Sequence, residues 1–166
     1  MISAEYTHKI LEIVKMFNVS AWVSSLEQVS SGFALDKRLH VGNAYKAAVQ
    51  IYVIRATRDQ LHDSMVLEDL VSDVLEHLRF IPEDDYFFKA TCWPTFIAGA
   101  ETHNHESRRW ISHRFEKGLQ TLPWGYLLNA MDVLHAIWSN TNQGSTPDGV
   151  NWLTALKSSN VDWLIA

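Results

Sequence analysis

A single proline inside an apolar run constrains this chain more than any other residue. The run is Cys92-Trp93-Pro94-Thr95-Phe96-Ile97-Ala98-Gly99-Ala100-Glu101. In a helix interior, proline removes one backbone donor and clashes with the carbonyl four residues back, at a cost of roughly 3 kcal/mol unless packing fixes the bend. The pattern predicts an apolar helix over 86–100, bent at Pro94 and embedded in a helical core.

The rest of the chain supplies the partners for such a core. Tyr6, Ile10, Ile13, Val14 and Phe17 recur at helical spacing over 4–17, and Trp22, Leu26 and Val29 continue it in a short second segment that Gly32 can end. Over 43–60, Tyr45, Ala48, Ile51, Tyr52 and Arg55 are interleaved with alanines that favour helix and permit a neighbour to approach closely. The clearest stripe is Leu67, Leu70, Val71, Val74 and Leu78 over 65–80, with Ser64 as N-cap and Pro82 ending the element. Asn104 can cap a helix carrying Trp110, Ile111 and Phe115, with Gly118 near its end. Leu127, Met131, Leu134 and Trp138 share a face of the next, and Asp148 can start a last short helix with Trp152 and Leu156. The expected fold is all-α, one domain over 1–166 built from about seven or eight packed helices.

Length and charge exclude several classes. A chain of 166 residues can bury roughly two-thirds of its unfolded surface around one core. Fourteen Lys and Arg against nineteen Asp and Glu leave a net charge of -5, the wrong sign for gripping phosphate backbones, so no nucleic-acid contact is expected from this region. The lone Cys92 excludes an internal disulfide or multi-cysteine metal site. It reads as a small buried hydrophobe, because no basic neighbour in sequence would activate it. No apolar run reaches membrane-spanning length, and the N-terminus lacks a signal-peptide layout, so the chain is expected to be soluble and intracellular.

Three clusters invite chemical readings. His103 and His105, flanked by Glu101 and Glu106, are suitable zinc ligands, yet a site needs three or four converging groups and these read as a solvated turn. Asp84-Asp85 before Tyr86-Phe87-Phe88 looks like the aspartate-rich entrance of helical isoprenoid synthases, but no second acid cluster completes it, so a helix start favoured by acids is expected. Trp93, Phe96, Trp110, Met131 and Trp138 form an aromatic and methionine stripe that is either plain core or the wall of a small-molecule pocket; spacing does not separate the two. No nucleophile signature, phosphate loop or nucleotide fingerprint is present, and neither catalytic residues, a metal nor a cofactor is expected.

Trp93-Pro94-Thr95-Phe96-Ile97-Ala98-Gly99-Ala100-Glu101, then Arg108-Arg109-Trp110, Gly118, Asn129-Ala130, Leu134 and Trp138, closely resembles the C-terminal part of a fungal-specific transcription factor domain. The type is that of arginine-metabolism and related zinc-cluster regulators. The resemblance is strong over 45–138, weaker to Trp163 beside Asp162, and not detectable before Leu39. Ala100 stands where cysteine is frequent, and Glu101-Thr102 where Glu-Ala is usual. The resemblance implies a helical regulatory region downstream of a DNA-binding module in which six cysteines hold two zinc ions. With one cysteine, that zinc-cluster module is absent from this sequence, and direct promoter contact by these residues is not expected. The expected role is therefore regulatory and nuclear, or shared between cytoplasm and nucleus. The expected partners are a small-molecule effector bound by the stripe, protein partners or a second copy in a homodimer, and neither nucleic acid nor membrane. The alternatives are a dimerisation or coactivator-docking scaffold, and a small enzyme recruited from this fold.

Overall fold

A computed structural model describes residues 4–26, 32–57, 64–121, 125–142 and 151–158. The elements are α1 (Ala4–Met16), α2 (Val19–Ser24), α3 (Gly32–Thr57), α4 (Ser64–Leu78), a 3-10 helix (Tyr86–Thr91), α5 (Cys92–Glu101), α6 (His105–Thr121), α7 (Gly125–Asn142) and α8 (Trp152–Ser158). The all-α expectation holds, with no strand among the described residues. Val29, Asp148, Asp162 and Trp163 lie outside them.

α3 is the scaffold. Its face of Ala44, Ala47, Ala48, Ile51 and Ile54 is buried, and the small side chains let α4 and α5 approach closely. The stripe of α4 is buried as its period requires, at Leu67, Val71, Val74, Leu75 and Leu78. α5 runs through the middle: nine of its ten residues are buried, all but Trp93. α6 and α7 close the far side of α5, while α1 and α2 lie across the outer side of α3.

Two boundaries correct the sequence reading. Gly32 opens α3 instead of ending the segment before it, so the helix expected from Asn43 begins eleven residues earlier, at Gly32. The added stretch interleaves Ala34, Leu35, Leu39 and Val41 with Asp36, Lys37, Arg38 and His40, so its apolar residues form no stripe as long as that of α4. Long-range partners hold it instead: the Lys37 ammonium donates to the Phe80 carbonyl and lies 3.5 Å from the Asp85 carboxylate.

The second correction concerns Pro94. The expected single bent helix is two elements, the 3-10 helix and α5, and Pro94 is the third residue of α5. The first N–H groups of an α-helix have no intrahelical acceptor, so a missing donor there costs little. Asp85 caps the 3-10 helix by accepting from the Phe87 N–H at 2.8 Å. That acid serves the helix start, as the reading of Asp84-Asp85 anticipated.

Candidate functional site

The chemistry-bearing side chains gather around α5 in three groups. The first is at its C-terminal end. Arg55 of α3 grips Glu101 with two N–H donors, Nε to Oε2 at 2.8 Å and Nη2 to Oε1. The Trp152 indole N–H donates to the same Oε2 at 3.0 Å, and the Trp152 ring meets Phe96 edge to face. Asn151 starts α8 by accepting from the Leu153 N–H, and its amide donates to the Arg55 carbonyl at 2.7 Å. Glu101 is buried but has donors for both oxygens, which is what a buried carboxylate requires. Beside it, the Trp138 indole donates to the Gly99 carbonyl at 2.8 Å, and Arg108 donates to the Thr102 carbonyl at 3.0 Å beneath the Trp138 ring.

The second group surrounds Arg114 of α6, which is 2% exposed. One Nη donates to the Thr91 hydroxyl at 2.9 Å, and the other lies 3.5 Å from the half-buried Glu83. The guanidinium carbon sits 4.7 Å from the Phe88 ring centroid and 5.3 Å from that of Trp110. Its Nε is buried without a partner. Burial pulls this guanidinium down to about 10, against the opposing pull of Glu83 and Cys92; it remains charged at neutral pH.

The third group faces α3 and α7. Tyr45 stacks on Trp93 at 5.5 Å between ring centroids, and Tyr52 approaches the same indole at 6.1 Å. Next to Trp93, the Cys92 thiol donates to the Phe88 carbonyl at 3.8 Å, and the Tyr126 hydroxyl lies within hydrogen-bonding reach of it. Burial pushes the Cys92 thiol up, outweighing the Tyr126 hydrogen bond and the Arg114 charge that favour thiolate. Burial, and then Cys92, push the Tyr126 hydroxyl up, and the Tyr45 hydroxyl is raised for the same reasons. A thiol so placed stays protonated and is a poor nucleophile. The sequence reading saw no basic residue near Cys92. Folding brings Arg114 to it from twenty-two positions away, yet desolvation still wins.

The five stripe residues are shared among these groups. Trp93 faces Tyr45 and Tyr52, Phe96 meets Trp152, Trp110 covers Arg114, and Trp138 holds Gly99. Met131 is half-buried against the core. Sequence reasoning places Arg55 and Trp152 on helices without a site role and does not single out Arg114 or Tyr126; all four roles depend on contacts far apart in the chain. Glu101, placed beside the histidine turn by sequence, points inward to Arg55, while His103 and His105 are exposed. Asn104 caps α6 by accepting from the Glu106 and Ser107 N–H groups. Among the described residues, no group of three or more His, Cys, Asp or Glu side chains could hold a metal ion.

With this geometry in place, comparison with known proteins gives the family. The fungal-specific transcription factor domain matches residues 16–166. The chain belongs to that family. It is also similar to the acriflavine sensitivity control protein acr-2 of Neurospora crassa, at 35% identity over 94% of this chain and 28% of that protein. The chain therefore spans under a third of that relative's length. No solved structure matches significantly. The residues on which the sequence resemblance rested lie on α5 (Trp93 to Glu101), α6 (Arg108 to Trp110 and Gly118) and α7 (Asn129, Ala130, Leu134 and Trp138). Among the described residues, no helix is long and apolar enough to cross a membrane.

Proposed function

We propose that this chain is the regulatory, or effector, domain of a fungal transcription factor, acting in the nucleus and controlling transcription by sensing a metabolite or through protein contact. The family match over 16–166 carries the reading. Family membership makes an enzyme the lesser one, and a protonated Cys92 together with a fully engaged Glu101 agrees with that. Regulation of this kind requires an effector that binds two states of the helical domain unequally.

The effector contact is assigned to the stripe of Trp93, Phe96, Trp110, Met131 and Trp138, with Trp93 as its accessible edge. Trp93 is the one residue of α5 that is not fully buried, and half-exposed Tyr45 and Tyr52 flank it. Flat aromatic faces of this sort suit planar or cationic ligands. A relative named for control of acriflavine sensitivity makes toxic planar aromatic cations the first ligands to try. The deciding measurement is a reporter driven by these residues fused to an unrelated DNA-binding module, with and without candidate effectors. A response abolished by Trp93→Ala while the fold is retained supports the reading. A reporter that responds to no effector, and equally with or without Trp93, overturns metabolite sensing.

A docking scaffold is the second reading. The observation in its favour is an uncovered apolar set on α1 and α2 and the turn between them: Ile13, Met16, Phe17 and Trp22. Its test is solution mass against concentration; a constant monomer mass removes the dimer form of this reading.

A further inference from the structure

Helices α3 and α4 form the most extensive helix pair in the molecule, antiparallel, with the start of α3 beside the end of α4. At that junction His40 and His77 bring their Nδ1 atoms to 3.0 Å. Both are part-buried, whereas the other described histidines, His8, His103, His105, His113 and His135, are exposed. The Phe80 ring lies flat on His40, with centroids 3.9 Å apart and planes 11° apart.

We propose that His40 and His77 form a proton-operated latch that holds the α3 and α4 ends together and releases them on acidification. Neutral imidazole carries one N–H and one bare nitrogen, so one ring donates from Nδ1 and the other accepts at Nδ1. One added proton is tolerated, because imidazolium still donates to imidazole. A second added proton leaves two N–H groups pointed at each other across 3.0 Å, with two positive charges and no acceptor. The contact must then open. Such a pair titrates in two coupled steps, not as two independent histidines.

The surrounding charges do not cancel this. On α3, Asp36 lies 4.0 Å from the far nitrogen of His40, and Lys37 is engaged by the Phe80 carbonyl and by Asp85 of the turn after α4. On α4, Asp73 and Glu76 favour protonated His77, as does its place in the last helical turn. Burial first and His40 second oppose it, and they prevail, holding His77 below the ordinary histidine range. A depressed histidine contributes its stability above the unfolded-state value near 6.5, and that stability is lost as pH falls from there through the folded-state value. The released end leads through Phe80–Asp85 to the 3-10 helix and α5, so opening would reach the centre of the fold. This device stands apart from the effector reading and does not depend on it.

The test is the melting temperature of the chain between pH 8 and pH 5, in buffer containing a chelator, for the wild type, His77→Asn and His40→Phe. Asparagine keeps a hydrogen-bonding group near the Nδ1 position and gains no proton; phenylalanine keeps the stack on Phe80. Both variants are expected to lose the acid-dependent fall in melting temperature that the wild type shows. Nitrogen-15 NMR of the imidazoles in the wild type needs no variant and is expected to show Nδ1-protonated and Nδ1-bare rings at pH 8, with two-step titration. Variants with the same acid slope as the wild type, or rings that titrate singly and independently, overturn the latch.

Discussion

Two arginines enter the same core and are held in opposite ways. Arg55 meets a buried carboxylate head on, and both oxygens of Glu101 accept hydrogen bonds, with the Trp152 indole as a third donor. Arg114 is more deeply buried, yet its counter-charge Glu83 stands 3.5 Å off and half in water, and its Nε has no partner. Two aromatic faces and the Thr91 hydroxyl surround it. The difference separates a polar clamp that fastens α8 to α3 and α5 from a charge kept in the core at a standing cost. Buried pairs destabilise most when one partner is removed, whereas replacing an underpaired charge by an apolar group is often neutral or favourable.

The comparison breaks most directly at Glu101. Glu101→Ala strands the Arg55 guanidinium and the Trp152 N–H, and a loss of about 3–5 kcal/mol is expected from urea unfolding. Gly118→Ala attacks the other region. A Cβ at 118 would lie 2.7 Å from the Phe88 ring that faces Arg114, and a ring in a packed core yields poorly, so a loss of about 1–3 kcal/mol is expected in the same assay. Arg114→Met should cost nothing and gain up to about 2 kcal/mol. Thr91 still donates to the Phe88 carbonyl at 2.7 Å, and Glu83 can turn to solvent. A loss comparable to that of Glu101→Ala would show that the two arginines are equivalent after all. The smallest loss is expected from Asn151→Ala, about 1 kcal/mol for the lost cap of α8, with faster amide exchange confined to 152–158.

What sequence made legible follows the reach of the forces involved. The stripe from Leu67 to Leu78 and the cap at Asn104 are decided within a few residues, and both stand where expected. The first half of α3 was not legible, because Lys37 and His40 are fixed by Phe80, Asp85 and His77, about forty positions away. The same holds for the candidate site. Trp93, Phe96, Trp110 and Trp138, with Met131 beside them, stand out in the sequence because large aromatic and thioether side chains are conspicuous by type alone. Arg55 and Glu101 are 46 residues apart and Arg114 and Thr91 are 23 apart, and no local period links either pair. Glu101 ends the apolar run and flanks the histidine turn in sequence, but its inward pairing with Arg55 depends on where α3 ends.

Pro94 has a consequence beyond the local cost it avoids. Were residues 86–91 to rewind as α-helix, Pro94 would fall in the interior of one long element and forfeit the bond to the carbonyl of Ala90. The ring therefore acts as a register stop, keeping the two helical types from merging. Thr91 sits at that seam, with its hydroxyl taken by Arg114 and its carbonyl by Thr95. A residue with no donor to offer thus decides, by exclusion, which side chain the buried arginine can find.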